Sequence, residues 1–299
     1  MNLAPILLVT GASGQLGRRV IHHLLNTLQV PPHRLIATTR RPEMVNDLAS
    51  LGVEVRGADF ASDVNSLAEA FRGASRILLI SSEVGAPGAR LEQHRRAIAA
   101  AEGVGASHVI YTSMPEPKKS LVSFASDHFG SEDALAASTL QGWTVLRNHW
   151  YFENWFHSIP QALRSGVWFS AAHEGKLANI ARDDIARAAA TILAGTDASK
   201  RTYTLSGAEA LTTREIAAAI SAAVGRALFV VGIPLEKLVQ QMVANGLPEK
   251  AAREIASFDA NTAAGGFSNA TGDYKAITGR EPQRLDDWCT ANRDELTRI

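Results

Sequence analysis

Hydrophobic positions in the first half of the chain predict strands that alternate with helices. Residues 6–10 form an uninterrupted apolar run that a glycine ends, which is typical of a buried parallel strand. Apolar side chains then recur at every fourth position, at Leu16, Val20, Leu24 and Leu28. This spacing places one apolar face on a helix. Further strands are predicted at residues 35–39, 53–55, 77–80, 109–111 and 144–146.

The order of these elements indicates an α/β fold, since strands that alternate with helices build a parallel sheet with right-handed crossovers. After Arg147 the alternation stops, and residues 149–156 are crowded with aromatic side chains. We therefore predict a doubly wound parallel sheet with a smaller, mostly helical C-terminal lobe. The predicted sheet domain comprises residues 1–147, with residues 176–224 returning to it. The predicted substrate-binding lobe comprises residues 148–175 and 225–299.

Three glycines between the first strand and the first helix carry the strongest chemical signal. Gly11, Gly14 and Gly17 have the spacing G-x-x-G-x-x-G. A backbone without Cβ at the first two positions can turn sharply and approach a pyrophosphate, and Gly17 lets the helix pack closely on the strand. The helix N-terminus offers free N–H groups to the anion. The pattern favours a Rossmann-type dinucleotide site, and the alternative is a tight turn without a ligand.

The residues at the end of the second strand indicate which dinucleotide binds. A site for NAD usually has a carboxylate there, which binds the ribose hydroxyls. This chain instead has Thr38, Thr39, Arg40 and Arg41. Two guanidinium groups can bind a 2′-phosphate, and no carboxylate is expected nearby to repel it. We therefore predict that the cofactor is NADP, in its reduced form NADPH. The alternative is that both arginines are a solvated charge pair.

Composition and charge exclude several other classes of protein. Of 299 residues, 46% are hydrophobic, so the chain is globular rather than disordered. Thirty basic residues balance thirty acidic ones, and this neutral charge disfavours binding to nucleic acid. Cys289 is the single cysteine, which fits a reducing, cytoplasmic setting. There is no apolar run of about 18 residues for a membrane span. His22 and His23 have no partner at metal-ligand spacing, so no metal site is expected.

Short motifs along nearly the whole chain resemble the NmrA-like, atypical short-chain dehydrogenase family. They occur at residues 9–17, 57–60, 78–82, 93–94, 109–113, 146–148 and 278–280, with Tyr151 and Asn154. Within that family they are most similar to the branch of NAD(P)H:quinone oxidoreductases and triphenylmethane reductases. The resemblance implies a Rossmann domain with a small C-terminal lobe, NADPH binding, and reduction of quinone-like or other conjugated aromatic substrates.

The resemblance also implies roles for residues at the carboxyl ends of the strands. Arg40 would bind the 2′-phosphate, Asp59 and Phe60 would frame the adenine, and Ser81 and Ser82 would lie near the ribose and the nicotinamide. The pyrophosphate would be held by Gly11, Ser13, Gly14, Gln15, Leu16 and Gly17. Open α/β sheets bind ligands at this edge. Alternatively, Asp59 caps a turn, and the two serines are ordinary loop residues.

The tyrosine–lysine pair of ordinary short-chain dehydrogenases is missing. Four residues after Tyr111, Tyr151, Tyr203 and Tyr274 stand Pro115, Trp155, Gly207 and Thr278. A quinone accepts hydride readily, so orientation of the reactants can supply most of the catalysis. The missing pair therefore fits a quinone reductase. It also fits a carbonyl or imine reductase with an unconventional acid, and a non-catalytic NADP-sensing regulator.

Candidate catalytic and substrate-binding residues follow the fifth and sixth strands. His128, Asn148 and Tyr151 are candidates for donating a proton or a hydrogen bond to the substrate. Met114, Asn148, Trp150 and Tyr151 are the predicted substrate contacts, because aromatic walls suit a flat acceptor. Alternatively, His128 is a packed or capping residue, and most of the aromatic stretch is core. The predicted partner is a small conjugated molecule, and the sequence leaves a homo-oligomer open.

Overall fold

The computed structural model describes residues 4–83, 85–86 and 88–298. Its internal contacts divide the chain into two compact units. The first unit comprises Met1–Met114, Ser126–Asn148 and Ile185–Tyr203. The second unit comprises Pro115–Ala125, His149–Asp184 and Thr204–Ile299. The assignment of cofactor and substrate binding to separate ranges of the chain stays a prediction.

The strands of the described residues are β1 Leu7–Val9, β2 Leu35–Thr39, β3 Glu54–Gly57, β4 Arg76–Leu79, β5 His108–Ser113, β6 Gly142–Asn148, β7 Val167–Ser170, β8 Lys176–Leu177, β9 Lys200–Leu205, β10 Leu211–Thr212 and β11 Phe229–Gly232. The helices are α1 Gln15–His22, α2 Asn46–Ser50, α3 Val64–Phe71, α4 Ala89–Gly103, α5 Ala125–Ala136, α6 Ile159–Ser165, α7 Arg182–Ala194, α8 Thr213–Val224, α9 Leu235–Ala244, α10 Glu249–Ala263, α11 Asp273–Thr278, α12 Leu285–Ala291 and α13 Arg293–Thr297. Shorter helical turns lie at Pro32–Arg34, Pro42–Val45 and Phe152–His157, and a π-helical turn at His23–Thr27 extends α1.

A seven-stranded sheet has the order β3-β2-β1-β4-β5-β6-β9. The pairings that join β1 through β6 are all parallel. The chain moves outward from β1 to β3 and then returns to β4 on the other side of β1, so the order reverses between β1 and β4. This is the doubly wound arrangement, and the predicted α/β fold of the Rossmann type is confirmed. In such sheets the crevice at the reversal binds the dinucleotide.

Strands β1, β2, β4 and β5 are buried at every position and therefore on both faces, as their apolar sequences require. Its core contains fully buried side chains from several strands and helices, among them Leu8, Leu67, Phe71, Ile77 and Val109. Burial of a large apolar side chain of this kind contributes roughly 1.5–3 kcal/mol. The core fixes the strands in register, and the strand ends at the cofactor edge are fixed with them.

Arg76 begins β4 with a charged side chain that is almost fully buried. Its guanidinium donates to the carbonyl oxygens of Ile192, Leu193 and Asp197 at 2.9–3.0 Å. The first two carbonyls belong to the last turn of α7, where the regular helical hydrogen-bond pattern ends. Arg76 therefore caps α7, and burial lowers the pKa of its guanidinium.

The second unit has a separate aromatic core. Phe152 and Trp155 pack on Trp288 of α12 with ring centroids 5.3 and 6.1 Å away, and Phe156 stacks on the same indole at 5.3 Å. Phe152, Trp155 and Phe156 belong to the short 3-10 turn Phe152–His157. Two small sheets, β7 with β11 and β8 with β10, complete this mostly helical unit.

Candidate functional site

The glycine turn is held to the neighbouring strand ends by hydrogen bonds. Gly11 has a positive φ of 62°, which favours glycine, and its carbonyl accepts from the Gly14 N–H at 2.9 Å. The Ala12 N–H donates to the Thr38 carbonyl of β2 at 3.0 Å, and the hydroxyls of Ser13 and Thr39 are 2.7 Å apart. These contacts fix the turn against the end of β2.

The first turn of α1 suits a pyrophosphate. Gly14 is the N-cap of α1, and within the described residues no N-cap side chain binds the N–H groups of the first turn. The first turn also contains no acidic residue. The N–H groups there are therefore open to an anion. A Cβ at Gly17 would lie 2.4 Å from the Gly11 carbonyl oxygen, and one at Gly14 would lie 3.1 Å from it. The turn is thus as tight as the dinucleotide fingerprint requires, and its geometry fits the predicted cofactor.

Arg40 lies just beyond β2 with an exposed guanidinium. The fold brings the carboxylate of Glu83 to 3.4 Å from it, although 43 residues separate them in sequence. The expectation that no carboxylate stands near this position is therefore wrong, because the loop after β4 supplies one. Both side chains are mostly exposed, so the pair is weak, and Arg40 is accessible to a phosphate.

Asp59 and Phe60 follow β3, whose end joins that of β2 through the Ala58 N–H and the Thr39 carbonyl at 2.9 Å. The Asp59 carboxylate accepts from the Ala61 N–H at 2.9 Å, so it caps the turn in which it lies. The Phe60 ring packs edge-to-face on His94 with ring centroids 6.4 Å apart. Their predicted contact with adenine stays a prediction.

The chain leaves β4 with three consecutive N–H groups bound to side chains. Those of residues 80, 81 and 82 donate to Thr10 Oγ1, Thr112 Oγ1 and His94 Nε2 at 2.9, 2.8 and 3.0 Å respectively. These acceptors come from the end of β1, from β5 and from α4. The backbone path of residues 80–82, which includes the predicted nicotinamide contacts Ser81 and Ser82, is therefore set by three neighbouring elements.

His128 lies on α5 and is buried. Its Nδ1 is 2.8 Å from the Tyr111 hydroxyl, and its Nε2 is 3.1 Å from the Arg90 guanidinium. Burial and the nearby Arg90 charge lower the pKa of His128 well below its ordinary value. The imidazole is therefore neutral at pH 7 and is a poor source of a proton for a substrate.

A cluster of polar side chains joins the carboxyl ends of β5 and β6. The Ser113 hydroxyl donates to Glu132 at 2.6 Å, and Arg147 binds the same carboxylate through two N–H groups at 2.8 and 3.1 Å. Met114 and Asn148 follow Ser113 and Arg147 directly, and both are buried. The cluster therefore fixes the backbone at two of the predicted substrate contacts.

Trp150 and Tyr151 belong to the second unit. The Trp150 ring lies 4.0 Å from that of Phe258 on α10, and the Arg182 guanidinium lies 5.2 Å from the centre of the Tyr151 ring. Both predicted contacts are half-buried, so each keeps part of its aromatic surface accessible. Phe258 was not among the sequence candidates, because it is 108 residues from Trp150 and follows no strand.

Two of the four tyrosines are fully enclosed. Tyr111 and Tyr274 are at most 1% exposed, and Tyr274 donates to Asp184 at 2.8 Å. Burial raises the pKa of Tyr111 far above its ordinary value. Neither side chain is placed to act as the acid of an ordinary short-chain dehydrogenase.

The first unit thus brings together the predicted cofactor residues from the ends of β1, β2, β3 and β4. Sequence reasoning assigned no role to the residues that support them, namely Thr10, Thr39, Glu83, Arg90, His94 and Thr112. Threonine as one of the last residues of β2 and β5, or directly after β1, is the one local signal that could have indicated some of them. Among the described residues there is no group of three metal-ligating side chains and no helix long and apolar enough to cross a membrane.

Comparison with known proteins gives consistent relatives. The model of the NmrA-like family matches residues 5–298. Quinone oxidoreductase 2 of Escherichia coli (strain K12) is 35% identical over 278 residues, 93% of this chain and 95% of that protein. The structure of the Escherichia coli NADPH-dependent quinone oxidoreductase complexed with NADPH matches 95% of this chain and 98% of its own, with a TM-score of 0.89 and 33% identity. Citrobacter sp. triphenylmethane reductase complexed with NADP(H) matches 96% of this chain and 99% of its own, with a TM-score of 0.88 and 30% identity.

Proposed function

Because the chain belongs to the NmrA-like family, we propose that it is an NADPH-dependent oxidoreductase that transfers a hydride to a quinone or a similar conjugated acceptor. The similar proteins named above reduce quinones or triphenylmethane dyes, as their names state, and two of their structures hold NADPH or NADP(H). These acceptors share an extended conjugated system, and this common chemistry supports the proposed substrate class.

The observation that carries the proposal is the open helix N-terminus behind a tight glycine turn, with Arg40 at the end of the next strand. Residues 11–17 would hold the pyrophosphate, and Arg40 would bind the 2′-phosphate. Asp59 and Phe60 would border the adenine, and Ser81 and Ser82 would border the ribose and the nicotinamide.

When bound, NADPH supplies a hydride, which carries two electrons, to the acceptor. Formation of a hydroquinone would then need one further proton, which water could supply. The chain lacks a tyrosine–lysine pair, and a reduced quinone oxygen needs no strong acid. We therefore assign orientation of the acceptor to the protein, with Met114, Asn148, Trp150 and Tyr151 as the proposed contacts.

The proposal is tested by following NADPH oxidation at 340 nm with a panel of quinones, triphenylmethane dyes, ketones and imines. We expect quinones or dyes to be reduced, with NADPH preferred over NADH. Turnover of ketones or imines alone would instead identify a carbonyl or imine reductase. Tight NADPH binding without turnover of any acceptor would identify a regulator that senses NADP, and would refute the proposed activity.

We also propose the cytoplasm as the setting, because the single cysteine is buried and takes part in no disulfide. The balanced charge supports a small-molecule partner rather than nucleic acid. A homo-oligomer stays a prediction, which light scattering of the purified protein would test.

A further inference from the structure

Both backbone groups of Ser82 are held by side chains of α4. The Ser82 N–H donates to His94 Nε2 at 3.0 Å, and the Ser82 carbonyl accepts from Arg90 Nε at 2.9 Å. Arg90 and His94 are four residues apart, so they lie on one face of the helix. They are 5% and 1% exposed, so water cannot compete for these hydrogen bonds. Together the two side chains form a clamp on Ser82, which we call the Ser82 clamp.

The clamp is supported from behind by β5 and α5. His94 Nδ1 lies 2.8 Å from Ser131 Oγ, which in turn donates to the carbonyl of Asp127. Arg90 Nη1 lies 3.1 Å from His128 Nε2, and His128 Nδ1 lies 2.8 Å from the Tyr111 hydroxyl. Each clamp residue is therefore itself fixed by a further buried partner.

The proton positions in this network are determined by its partners. Burial and the Arg90 charge lower the pKa of His94 to about 3, so the imidazole is neutral and carries one proton. His94 Nε2 accepts from an amide, so the proton is on Nδ1 and points to Ser131. A guanidinium can only donate, so His128 Nε2 accepts and the His128 proton points to Tyr111.

Given the proposed function, on which this inference rests, we propose that His94 and Arg90 are positioning residues for the nicotinamide half of the cofactor. Ser82 lies just past β4, beside the crevice where the strand order reverses and where a dinucleotide binds. The adenine half is assigned to the ends of β2 and β3. His94 contacts this region through the edge of the Phe60 ring, and an apolar leucine at position 94 keeps that packing. The clamp therefore acts on the reacting ring and leaves the binding of the 2′-phosphate to Arg40.

The test compares three variants. His94→Leu removes the acceptor of the Ser82 N–H, and His94→Gln restores it through the amide oxygen. His108→Leu is the matched control, because His108 is also buried and neutral and also binds a hydroxyl, that of Thr144 at 2.9 Å. His108 is the first residue of β5, so it lies at the amino end of the strand, whereas the cofactor is proposed to bind at the carboxyl ends of the strands.

Three quantities are measured for each variant: the Kd of 2′,5′-ADP, the fluorescence gain of NADPH on binding, and kcat with a naphthoquinone. For His94→Leu we expect an unchanged Kd for 2′,5′-ADP, loss of most of the fluorescence gain, and a kcat at least tenfold lower. His94→Gln should recover most of both losses. His108→Leu should lower the melting temperature and leave kcat within about twofold.

If His94→Leu keeps the fluorescence gain and kcat, or if His108→Leu loses them equally, the inference is overturned. Should His94→Leu fail to fold, Thr112→Val removes the acceptor of the Ser81 N–H together with the weaker 3.3 Å hydrogen bond to Ser81 Oγ, and it is expected to reduce the fluorescence gain in the same way. If the wild type binds NADPH but reduces no acceptor, the proposed function fails, and the fluorescence contrast still decides the inference. If the wild type does not bind NADPH, both are refuted.

Discussion

Replacing Gly17 by alanine tests the tightness of the glycine turn. The new Cβ would lie 2.4 Å from the Gly11 carbonyl oxygen and 2.9 Å from its carbon, where ordinary contact begins at 3.4 Å. The start of α1 must therefore move by about 1 Å, and overpacking of this kind costs about 1–3 kcal/mol. Alanine in a helix gains about 0.5–1 kcal/mol over glycine. We expect a net loss of about 1–2 kcal/mol in the free energy of unfolding.

The same displacement moves the N–H groups that would hold the pyrophosphate. We expect the Kd for NADPH to rise at least tenfold, which is about 1.4 kcal/mol. Urea denaturation and fluorescence titration measure the two effects. Gly103→Ala is the matched control, because this helical glycine has open space where a Cβ would lie. The control should be slightly stabilised, with unchanged NADPH affinity. Wild-type NADPH affinity in Gly17→Ala, or an equal loss in Gly103→Ala, would refute the reasoning.

Four further predictions concern other parts of the chain. Arg40→Asp should weaken NADPH binding about ten- to hundredfold and favour NADH, because it removes a charged hydrogen bond worth about 1.5–3 kcal/mol; unchanged cofactor preference in kcat/KM would contradict this. Acidification from pH 7 to pH 4 should destabilise the fold, since the pKa values of His94 and His108 are about 3 and about 4 in the folded state, and unfolded histidines take up protons near 6.5. Each contributes up to about 1.4 kcal/mol per pH unit, measured by urea denaturation across that window, and a flat profile would exclude this coupling. Burial raises the pKa of Cys289 to about 12, so Ellman's reagent should label it only after denaturation. Trp150→Ala should raise the KM for quinones while the Kd for NADPH stays the same, and unaltered quinone kinetics would place the substrate elsewhere.

The sheet could be predicted from the sequence because its signals are local. Residues 6–10 carry an apolar run that a glycine ends, and short apolar runs recur at residues 35–39, 77–80 and 109–111, each before a further helix. The aromatic stretch had no such signal. Phe152 and Trp155 form a 3-10 turn because they pack on Trp288, and periodicity within the stretch contains no information about a ring 133 residues away.

The site could be predicted only as far as its residues follow strand ends in sequence. Arg40 was identified in this way, whereas Glu83 reaches it from a different loop. His94 was visible only as part of a family motif, because its role depends on a backbone N–H twelve residues earlier. Hydrogen bonds between side chains and distant backbone groups produce no periodic pattern in the sequence, because several residue types at many positions could supply the acceptor.

After β4, the backbone conformation of residues 80–82 is fixed by groups outside this segment rather than by its own side chains. Thr10, Thr112 and His94 hold the three N–H groups of residues 80–82, and none of these acceptors belongs to the segment itself. The hydroxyls of Ser81 and Ser82 add only longer contacts to the same groups, at 3.3 Å to Thr112 Oγ1 and 3.4 Å to His94 Nε2, so we expect the main chain to keep its course when these side chains change. Natural variation or a mutant library at these two positions can alter what the loop presents to a ligand without rebuilding the loop. The neighbouring elements determine the backbone geometry, and the residue types at positions 81 and 82 can evolve separately from it.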